Sequence, residues 1–331
     1  MFKLVIAGFR HGHVFELFGK SAGTPDCAVC ACCEEDRETR ENLKNHPAFA
    51  GKPLFDDFQT MLRDTECDAV GIGDYFGRRG SLAVAALKAG KHVIVDKPLC
   101  TDPAELAEIR ALAHEKGLKV GLMLPLWSHG NTVAARDLIA SGKLGEIQAV
   151  SFTGQQALNY GARPAWYFEK GKQGGTINDM APHGLDVVRF LTGRNFQNIV
   201  GARTWNSQFP EEPDFRNGAQ FLTVLDNGAG VFGDVSYFGV TGQSVPSTWR
   251  FTVWGTSGWL EFNFQTPGVT LAAAGTPGLR QLFPAQPEPG YWESFLADVA
   301  GRPGRFATDY VLEISEWALK IQAAADASGA R

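Results

Sequence analysis

Residues 3–13 read KLVIAGFRHGH, an apolar run that ends in glycine and leads into a segment with helical character. A buried strand followed by a glycine turn and a helix N-terminus is how a Rossmann domain holds the pyrophosphate of a dinucleotide. The usual spacing is G-x-G-x-x-G, and here Arg10 and His13 occupy the positions of the second and third glycines. The stretch predicts a Rossmann fold and raises the question of whether its turn still binds a dinucleotide.

The first 124 residues continue this alternation of apolar runs with helical patterns. Short runs rich in Val, Ile and Cys are typical of buried parallel strands. They are KLVIAG at 3–8, CAVCACC at 27–33, DAVGIG at 68–73, HVIVD at 92–96 and KVGLML at 119–124. The intervening segments predict helices near 13–22, 36–45, 78–90 and 103–115. The last is the clearest, with Thr101 or Asp102 as N-cap, Pro103 in the first turn and Gly117 as its stop. This alternation predicts a parallel sheet.

From residue 147 the sequence changes to consecutive strand candidates separated by Gly, Asn and Asp turns. The candidates are IQAVSFTGQQA at 147–157, NIVGARTWNSQ at 198–208, GAQFLTVLDN at 218–227, GAGVFGDVSYF at 228–238, WRFTVWGT at 249–256 and GWLEFNF at 258–264. The LDNGAG segment at 225–230 indicates a hairpin. Helices are predicted at 125–145, 174–193, 290–300 and 309–326, and a surface loop at 275–290.

These patterns predict two domains with different architectures. Residues 1–124 form an α/β Rossmann domain with a parallel sheet, which binds the dinucleotide. Residues 125–331 form an α+β domain with a large, mostly antiparallel sheet, which binds the substrate and carries the subunit contacts. Apolar residues on both faces of its strands predict a homodimer or homotetramer assembled sheet against sheet.

The composition excludes several classes of protein. A chain of 331 residues with 44% hydrophobic and 20% charged residues is typical of a globular protein with room for two cores. The formal charge of -5 and the lack of a basic stripe argue against nucleic-acid binding. No apolar run approaches the roughly 20 residues that span a bilayer. The N-terminal sequence does not read as a signal peptide, so we expect a cytoplasmic protein.

Four of the six cysteines lie close together, at positions 27, 30, 32 and 33. In a strand, Cys30 and Cys32 share one face while Cys33 points to the other. The run therefore predicts a buried strand in which Cys acts as a small apolar residue. We expect no disulfide and no metal site.

Four further stretches follow one another in the order and spacing of a known family. They are AGKHVIVDKPLCTDPAE at 89–105, LIASGKLGEI at 138–147, GGTINDMAPHGLD at 174–186 and WGTSGWLEF at 254–262. On these motifs the chain resembles the Gfo/Idh/MocA oxidoreductases, named for glucose–fructose oxidoreductase, inositol dehydrogenase and a rhizopine-catabolism protein. The resemblance covers nearly the whole chain. Its most specific motifs are DKP at 96–98 and the D-x-x-x-H pair of Asp179 and His183.

The resemblance implies binding of NAD or NADP and oxidation or reduction of sugars, cyclitols and related polyols. Such chemistry needs a hydride acceptor, a base for the hydroxyl proton and a cation near the developing alkoxide. Lys97 follows a strand at the sheet edge where open α/β sheets bind ligands, so it suits the cation. His183 suits the base because its pKa lies near neutrality, and Asp179 orients the substrate or the imidazole. Taken singly, Lys97 also fits a solvated surface lysine and His183 a core histidine.

Pro182 lies between Asp179 and His183, and a proline inside a helix removes a hydrogen bond. We therefore expect this helix to begin near Asn178 or Asp179, which places Pro182 in the first turn. In that arrangement Asp179 also serves as an N-cap.

The altered turn retains features that suit a dinucleotide. Gly8 and Gly12 supply backbone freedom, and the guanidinium of Arg10 is able to bind phosphate. Glu34 ends the second strand, in the place of the acid that binds ribose hydroxyls, where it would repel a 2′-phosphate. We expect NAD rather than NADP. The predicted cofactor-binding residues are Gly8, Phe9, Arg10, His11, Gly12, His13, Glu34, Asp74, Asp96, Lys97 and Pro98.

The substrate candidates outside the catalytic set are mainly aromatic. Trp127, Tyr160 and Trp166 are able to stack on a sugar face, although ordinary packing is the favoured interpretation. His129 is a candidate ligand contact or a surface residue. The sequence thus predicts an NAD-dependent dehydrogenase acting on a sugar, cyclitol or polyol. Two alternatives remain open: a redox-assisted glycosidase or lyase that uses bound NAD, and a non-catalytic dinucleotide-binding sensor.

Overall fold

The computed structural model describes residues 1–243, 245, 247–302 and 304–329. Its contacts divide the chain into two compact units. The first comprises Met1–Met123, Gly171–Gln173 and Gly290–Glu316. The second comprises Leu124–Lys170, Gly174–Pro289 and the chain from residue 317 onward.

The first unit is built on a six-stranded parallel sheet, as the alternating pattern predicted. Its strands are β1 (Phe2–Ala7), β2 (Cys27–Cys33), β3 (Leu54–Phe55), β4 (Ala69–Ile72), β5 (His92–Asp96) and β6 (Val120–Met123). They lie in the order β3-β2-β1-β4-β5-β6. The sequence missed β3, a two-residue strand at the sheet edge without an apolar run of its own.

Five helices connect these strands: α1 (Val14–Ala22), α2 (Arg37–Lys44), α3 (Phe58–Asp64), α4 (Phe76–Lys88) and α5 (Pro103–Lys116). Local chemistry fixes the ends of α5 as expected. The Asp102 carboxylate accepts a hydrogen bond from the Ala104 N–H at 2.8 Å, and Gly117 ends the helix with φ 65°. The sequence did not predict α3. Helix α4 begins at Phe76, directly after Tyr75, which is two residues earlier than expected.

The cysteines of β2 lie in this sheet as small apolar residues. Cys32 and Cys33 are buried, while Cys27 and Cys30 are half-buried. All six cysteines of the chain are free thiols. The buried strand predicted from this run is therefore present.

The second unit contains an eight-stranded sheet. Its strands are β7 (Ile147–Ala157), β8 (Phe196–Trp205), β9 (Gly218–Leu225), β10 (Gly230–Gly239), β11 (Ser247–Gly255), β12 (Gly258–Asn263), β13 (Val269–Ala273) and β14 (Arg280–Leu282). The order is β14-β13-β12-β11-β7-β10-β9-β8, and only the β7–β10 pair among them is parallel. The predicted hairpin joins β9 to β10.

The surface loop predicted at 275–290 is partly wrong, because β14 lies within it and pairs with β13. Arg280 and Gln281 of this strand are exposed, as expected for the outermost strand of a sheet. A three-residue strand at the sheet edge has no apolar pattern that would reveal it in the sequence.

Two helices of this unit are α6 (Gly130–Ala140) and α7 (Thr176–Thr192). Helix α7 packs on the sheet so closely that a Cβ on Gly184 would lie 2.1 Å from the Phe152 ring of β7. The expected start near Asn178 or Asp179 is wrong, since α7 begins at Thr176 and Pro182 lies inside it. The proline costs one helical hydrogen bond, and burial of nearly every α7 side chain outweighs that cost.

The chain ends with α8 (Tyr291–Val299) and α9 (Thr308–Ala327). Helix α8 packs on β6 of the first unit, where a Cβ on Gly121 would lie 2.8 Å from the Phe295 ring. Residues 290–316 thus complete the core of the Rossmann sheet from the far end of the chain. Within the described ranges, none of the helices has both the length and the apolar character needed to cross a membrane.

Candidate active site

The turn after β1 is built around Gly8. Its φ is +78°, and its N–H donates to the Cys33 carbonyl at 2.9 Å. A Cβ there would lie 2.5 Å from the Cβ of Asp74, so the close approach of two loops requires glycine. At Gly12, by contrast, a Cβ would meet no atom within 4 Å. The turn is therefore tight at its first glycine and open at its second, just before the N-terminus of α1.

Two histidines of this turn lie over the end of β5. The His11 Nδ1 is 2.5 Å from one carboxylate oxygen of Asp96, and the His13 Nδ1 is 3.2 Å from the other. The two imidazole rings pack edge to face, with centroids 4.5 Å apart. Burial lowers the pKa of His11 to about 4 despite the neighbouring Asp96 carboxylate. His11 is therefore neutral near pH 7.

Among the residues that the structure describes, His11, His13 and Asp96 form a group with the spacing of metal ligands. Their ligand atoms all lie within 4.8 Å of one another. One Asp96 oxygen also accepts a hydrogen bond from Arg79, so part of this ligand set is committed to an ion pair. That the chain works without a metal stays a prediction.

Arg79 is fully buried and joins the loop after β4 to the end of β5. Its Nε donates to the Asp74 carbonyl at 2.7 Å, and its Nη2 donates to the Asp96 carboxylate at 2.8 Å. Its Nη1 donates to the carbonyls of Asp96 and Lys97. Burial opposes ionisation of Asp96, but Arg79 and the two imidazoles outweigh it and hold the pKa of Asp96 well below its usual range. The sequence assigned Arg79 no role.

Lys97 follows β5 directly and is only 1% exposed. Its ammonium lies 5.7 Å from the Phe76 ring centroid, and the bond between Lys97 and Pro98 is cis. This burial rules out the alternative of a solvated surface lysine. The hydrogen bond from Arg79 to the Lys97 carbonyl fixes the backbone that carries the ammonium.

Glu34 has a different environment from the one expected of a ribose ligand. Its carboxylate accepts hydrogen bonds from the Phe9 N–H at 2.6 Å and the Asp36 N–H at 2.8 Å. Burial raises the pKa of Glu34 to about 7, although both backbone donors favour the charged form. Glu34 therefore also holds the turn after β1, a role that the sequence did not reveal.

Several charged side chains lie near the turn after β1 and the loop after β4. Arg10 lies 3.6 Å from the Asp36 carboxylate and 5.8 Å from the Tyr75 ring centroid. Burial raises the pKa of Asp74, whose carboxylate accepts a hydrogen bond from the Tyr75 N–H at 2.7 Å. Arg78 pairs with Glu35 and lies 3.5 Å from Asp74.

In the second unit, α7 places Asp179 and His183 on one face, with exposures of 1% and 5%. The hydroxyl of Tyr237, in β10, donates a hydrogen bond to the Asp179 carboxylate. Burial, and next the Asp179 charge, raise the pKa of Tyr237 well above its usual range, so its hydroxyl remains a donor. The His183 ring packs edge to face with Trp249, 5.5 Å between centroids. The sequence missed Tyr237, because nothing in the pattern of one strand shows which helix residue lies opposite.

The four remaining substrate candidates have varied surroundings. Trp127 is buried against Phe190, with ring centroids 5.6 Å apart. Trp166 is buried and stacked on Tyr167 at 4.1 Å. Each of these two rings therefore packs against another aromatic side chain.

The other two candidates lie nearer the surface. Tyr160 is exposed, and its hydroxyl donates to Glu212 at 2.9 Å. His129 caps α6, where its Nδ1 accepts a hydrogen bond from the Asn131 N–H at 3.2 Å. Neither contact involves Asp179 or His183, and a substrate role for these residues stays a prediction.

The parallel sheet and the glycine turn before α1 define a Rossmann domain. Residues 2–123 match the model of the oxidoreductase family with an NAD-binding Rossmann fold. Residues 132–261 match the model of the GFO/IDH/MocA C-terminal domain. The two models together match well over half of the sequence, and the chain belongs to the Gfo/Idh/MocA family.

The two curated relatives described next are each under 30% identical to this chain over the aligned residues. Levoglucosan dehydrogenase from Pseudarthrobacter phenanthrenivorans is 28% identical over 187 residues, which are 54% of this chain and 46% of that protein. The scyllo-inositol 2-dehydrogenase (NAD(+)) of Bacillus subtilis is 29% identical over 182 residues, which are 53% of this chain and 49% of that protein. The chain thus spans about half the length of these curated relatives.

The solved structure of a protein from Erwinia carotovora atroseptica matches 98% of this chain and 99% of its own, with a TM-score of 0.88 and 22% identity. At that identity the likeness shows the fold.

Proposed function

We propose that this protein is an NAD-dependent dehydrogenase that oxidises a hydroxyl group of a sugar, cyclitol or related polyol. The observation that carries the proposal is the burial of three ionisable groups, Lys97, Asp179 and His183, each at most 5% exposed. Burying such groups is costly and proteins keep them mainly where chemistry needs them. All three lie on the two motifs most specific to the family.

The three groups divide the chemistry of carbinol oxidation. Lys97 holds the reacting oxygen and stabilises the negative charge that develops on it. His183 takes the hydroxyl proton, and Asp179 positions the substrate through a carboxylate that Tyr237 holds in place. A bound nicotinamide ring supplies the hydride acceptor for this reaction. Replacing His183 with Asn should therefore reduce turnover, while Asp179→Asn should mainly weaken substrate binding.

The residues of the turn fit a dinucleotide. The open approach at Gly12 and the N-terminus of α1 suit a pyrophosphate, and the guanidinium of Arg10 adds a phosphate-binding cation. Glu34 directly follows β2, at the position that faces ribose hydroxyls in this fold, and its charged form would repel a 2′-phosphate. We infer a preference for NAD over NADP. We propose that the first unit binds the dinucleotide and that the second unit binds the substrate.

The outward face of the second sheet supports a homo-oligomer. Phe232 of β10, its partner Leu222 of β9 and Trp254 of β11 are exposed. Phe221 and Phe251 lie on the opposite face of the sheet and are buried. Apolar residues on both faces of a sheet suggest that a second copy covers the outer one. A Phe232→Glu variant should dissociate a dimer or tetramer on light scattering, and a monomeric wild type would rule the assembly out.

The six free thiols suit a reducing compartment, which supports a cytoplasmic location.

The function is tested by supplying the purified protein with NAD and a panel of sugars, cyclitols and polyols while NADH absorbance is followed. We expect NADH from at least one member. Tight NAD binding without NADH from any member would favour a redox-assisted glycosidase or lyase. Absence of NAD binding would contradict the proposal outright.

A further inference from the structure

Arg163 lies just beyond the end of β7 in the second unit. Its Nε donates to the Leu158 carbonyl and its Nη2 to the Ala157 carbonyl, both at 2.9 Å. The guanidinium lies 4.7 Å from the Tyr167 ring centroid. A guanidinium carries five N–H donors. These two bonds leave both N–H groups of Nη1 and one of Nη2 for another acceptor.

The charge of Arg163 is not balanced by an acidic neighbour in the part of the chain that the structure describes. It forms an ion pair with none of the described Asp or Glu side chains, whereas Arg79 and Arg136 are each paired with carboxylates. Arg163 is half-buried, so its cation is only partly stabilised by solvent. The backbone carbonyls fix its position without neutralising it.

This cation is close to the candidate catalytic carboxylate. The Arg163 guanidinium carbon lies 5.9 Å from the Tyr237 ring centroid, and the Tyr237 hydroxyl donates to Asp179. One aromatic ring therefore separates a fixed cation from the carboxylate expected to position the substrate. A neutral polyol would gain nothing from that charge, whereas an anionic substrate would be attracted by it and would so offset the repulsion of Asp179.

We propose that Arg163 binds a carboxylate on the substrate, and that the substrate class is therefore the sugar acids, such as aldonates or uronates. This inference rests on the proposed dehydrogenase function. A carboxylate matches the fork of N–H groups on Nη1 and Nη2, and charge-assisted bidentate pairs of this kind are strong and directional. The residue determines specificity and takes no part in the hydride or proton transfer.

The test compares matched acids and neutral compounds on the full-length protein. D-Gluconate and D-glucuronate are set against D-glucose and myo-inositol, with D-glucose 6-phosphate as a phosphate arm. Both kcat/KM with NAD and direct calorimetric binding are measured for the wild type, Arg163→Gln and Arg163→Lys. Arg203→Gln is the control, because Arg203 of β8 also stacks on an aromatic ring, 4.4 Å from the Trp205 centroid.

We expect the wild type to prefer an acid over the neutral compounds. Arg163→Gln should lower kcat/KM for the acid about 10- to 100-fold, the range for loss of a hydrogen bond to a charged group, with under threefold change for neutral compounds. Arg163→Lys should fall between, and Arg203→Gln should match the wild type. Equal loss for acids and neutral compounds would show a structural role and overturn the inference.

The wild type decides the matter even if Arg163→Gln fails to fold. Preference for neutral compounds, or for the phosphate, overturns the sugar-acid assignment while leaving the dehydrogenase intact. Calorimetric binding of an acid but not of its neutral counterpart, without NADH, upholds the carboxylate site and instead contradicts the proposed function.

Discussion

Replacing Arg79 with Met would remove the buried guanidinium while keeping much of its apolar volume. Arg79 makes four hydrogen bonds to the two loops beside the candidate site, one of them to the fully buried carboxylate of Asp96. Removing one partner of a buried ion pair costs about 3–5 kcal/mol, because the other charge stays buried. We expect the free energy of unfolding at pH 7 to fall by that amount.

The control is Arg78→Met in the adjacent position. The Arg78 side chain is 34% exposed and pairs with Glu35, which is 33% exposed, so its loss should cost at most about 1 kcal/mol. Urea denaturation of both variants, with unchanged dependence on denaturant, gives the difference. If Arg79→Met costs less than 1 kcal/mol, or no more than Arg78→Met, the buried pair does not hold this loop as described.

Acid should reduce the effect of the Arg79 substitution. The pKa of Asp96 is held well below its usual value in the folded chain, with Arg79 as the largest favourable contributor. The stability that this carboxylate provides is therefore present above about pH 4 and is lost as pH falls through the depressed pKa. The gap in unfolding free energy between the wild type and Arg79→Met should be largest near neutrality and narrow below about pH 4.

Two further predictions concern the turn after β1. Gly8→Ala should lower the free energy of unfolding by about 2–4 kcal/mol, since its Cβ would lie 2.5 Å from Asp74 at φ +78°. Gly12→Ala should change that free energy by under about 1 kcal/mol and should instead weaken NAD binding. Calorimetry with NAD and urea titration separate these outcomes, and equal stability of both variants would refute the assignment. Because the pKa of Glu34 is about 7, its charge forms as pH rises through neutrality, so the preference for NAD over NADP should widen between pH 6 and 8.5 and stay flat in Glu34→Gln. An NADP affinity equal to that of NAD at pH 8.5 would contradict the role of Glu34.

The sequence revealed the parallel sheet well because its strands are buried on both faces. Runs such as that of β5 and β2 carry nearly continuous apolar residues, which separate cleanly from the helices between them. Strands β3, β13 and β14 were missed. Of these, β3 and β14 are sheet edges of only two and three residues, which have no such signature. The start of α7 was wrong because a proline rule for isolated helices ignores burial against a sheet.

The candidate site was only partly visible in the sequence. Lys97, Asp179 and His183 lie on motifs, whereas the partners that hold the site come from distant positions. In the sequence, Arg79 is one of two adjacent arginines in GRRG. Nothing in that stretch shows that its side chain lies between the loop after β4 and the end of β5. Tyr237 lies 58 residues from Asp179, and its contact depends on how β10 pairs beneath α7. Long-range pairing of this kind leaves no local pattern.

The most direct test of the central claim compares cofactor binding with turnover in a Lys97→Met variant. Methionine keeps much of the buried length of the side chain but removes the charge that is proposed to stabilise the reacting oxygen. With an active substrate in hand, NAD affinity should stay within a few fold of the wild type while kcat falls about a hundredfold or more, as for loss of a charge-stabilising group. Normal turnover in this variant would contradict the account, and DKP would then be only the structural end of β5.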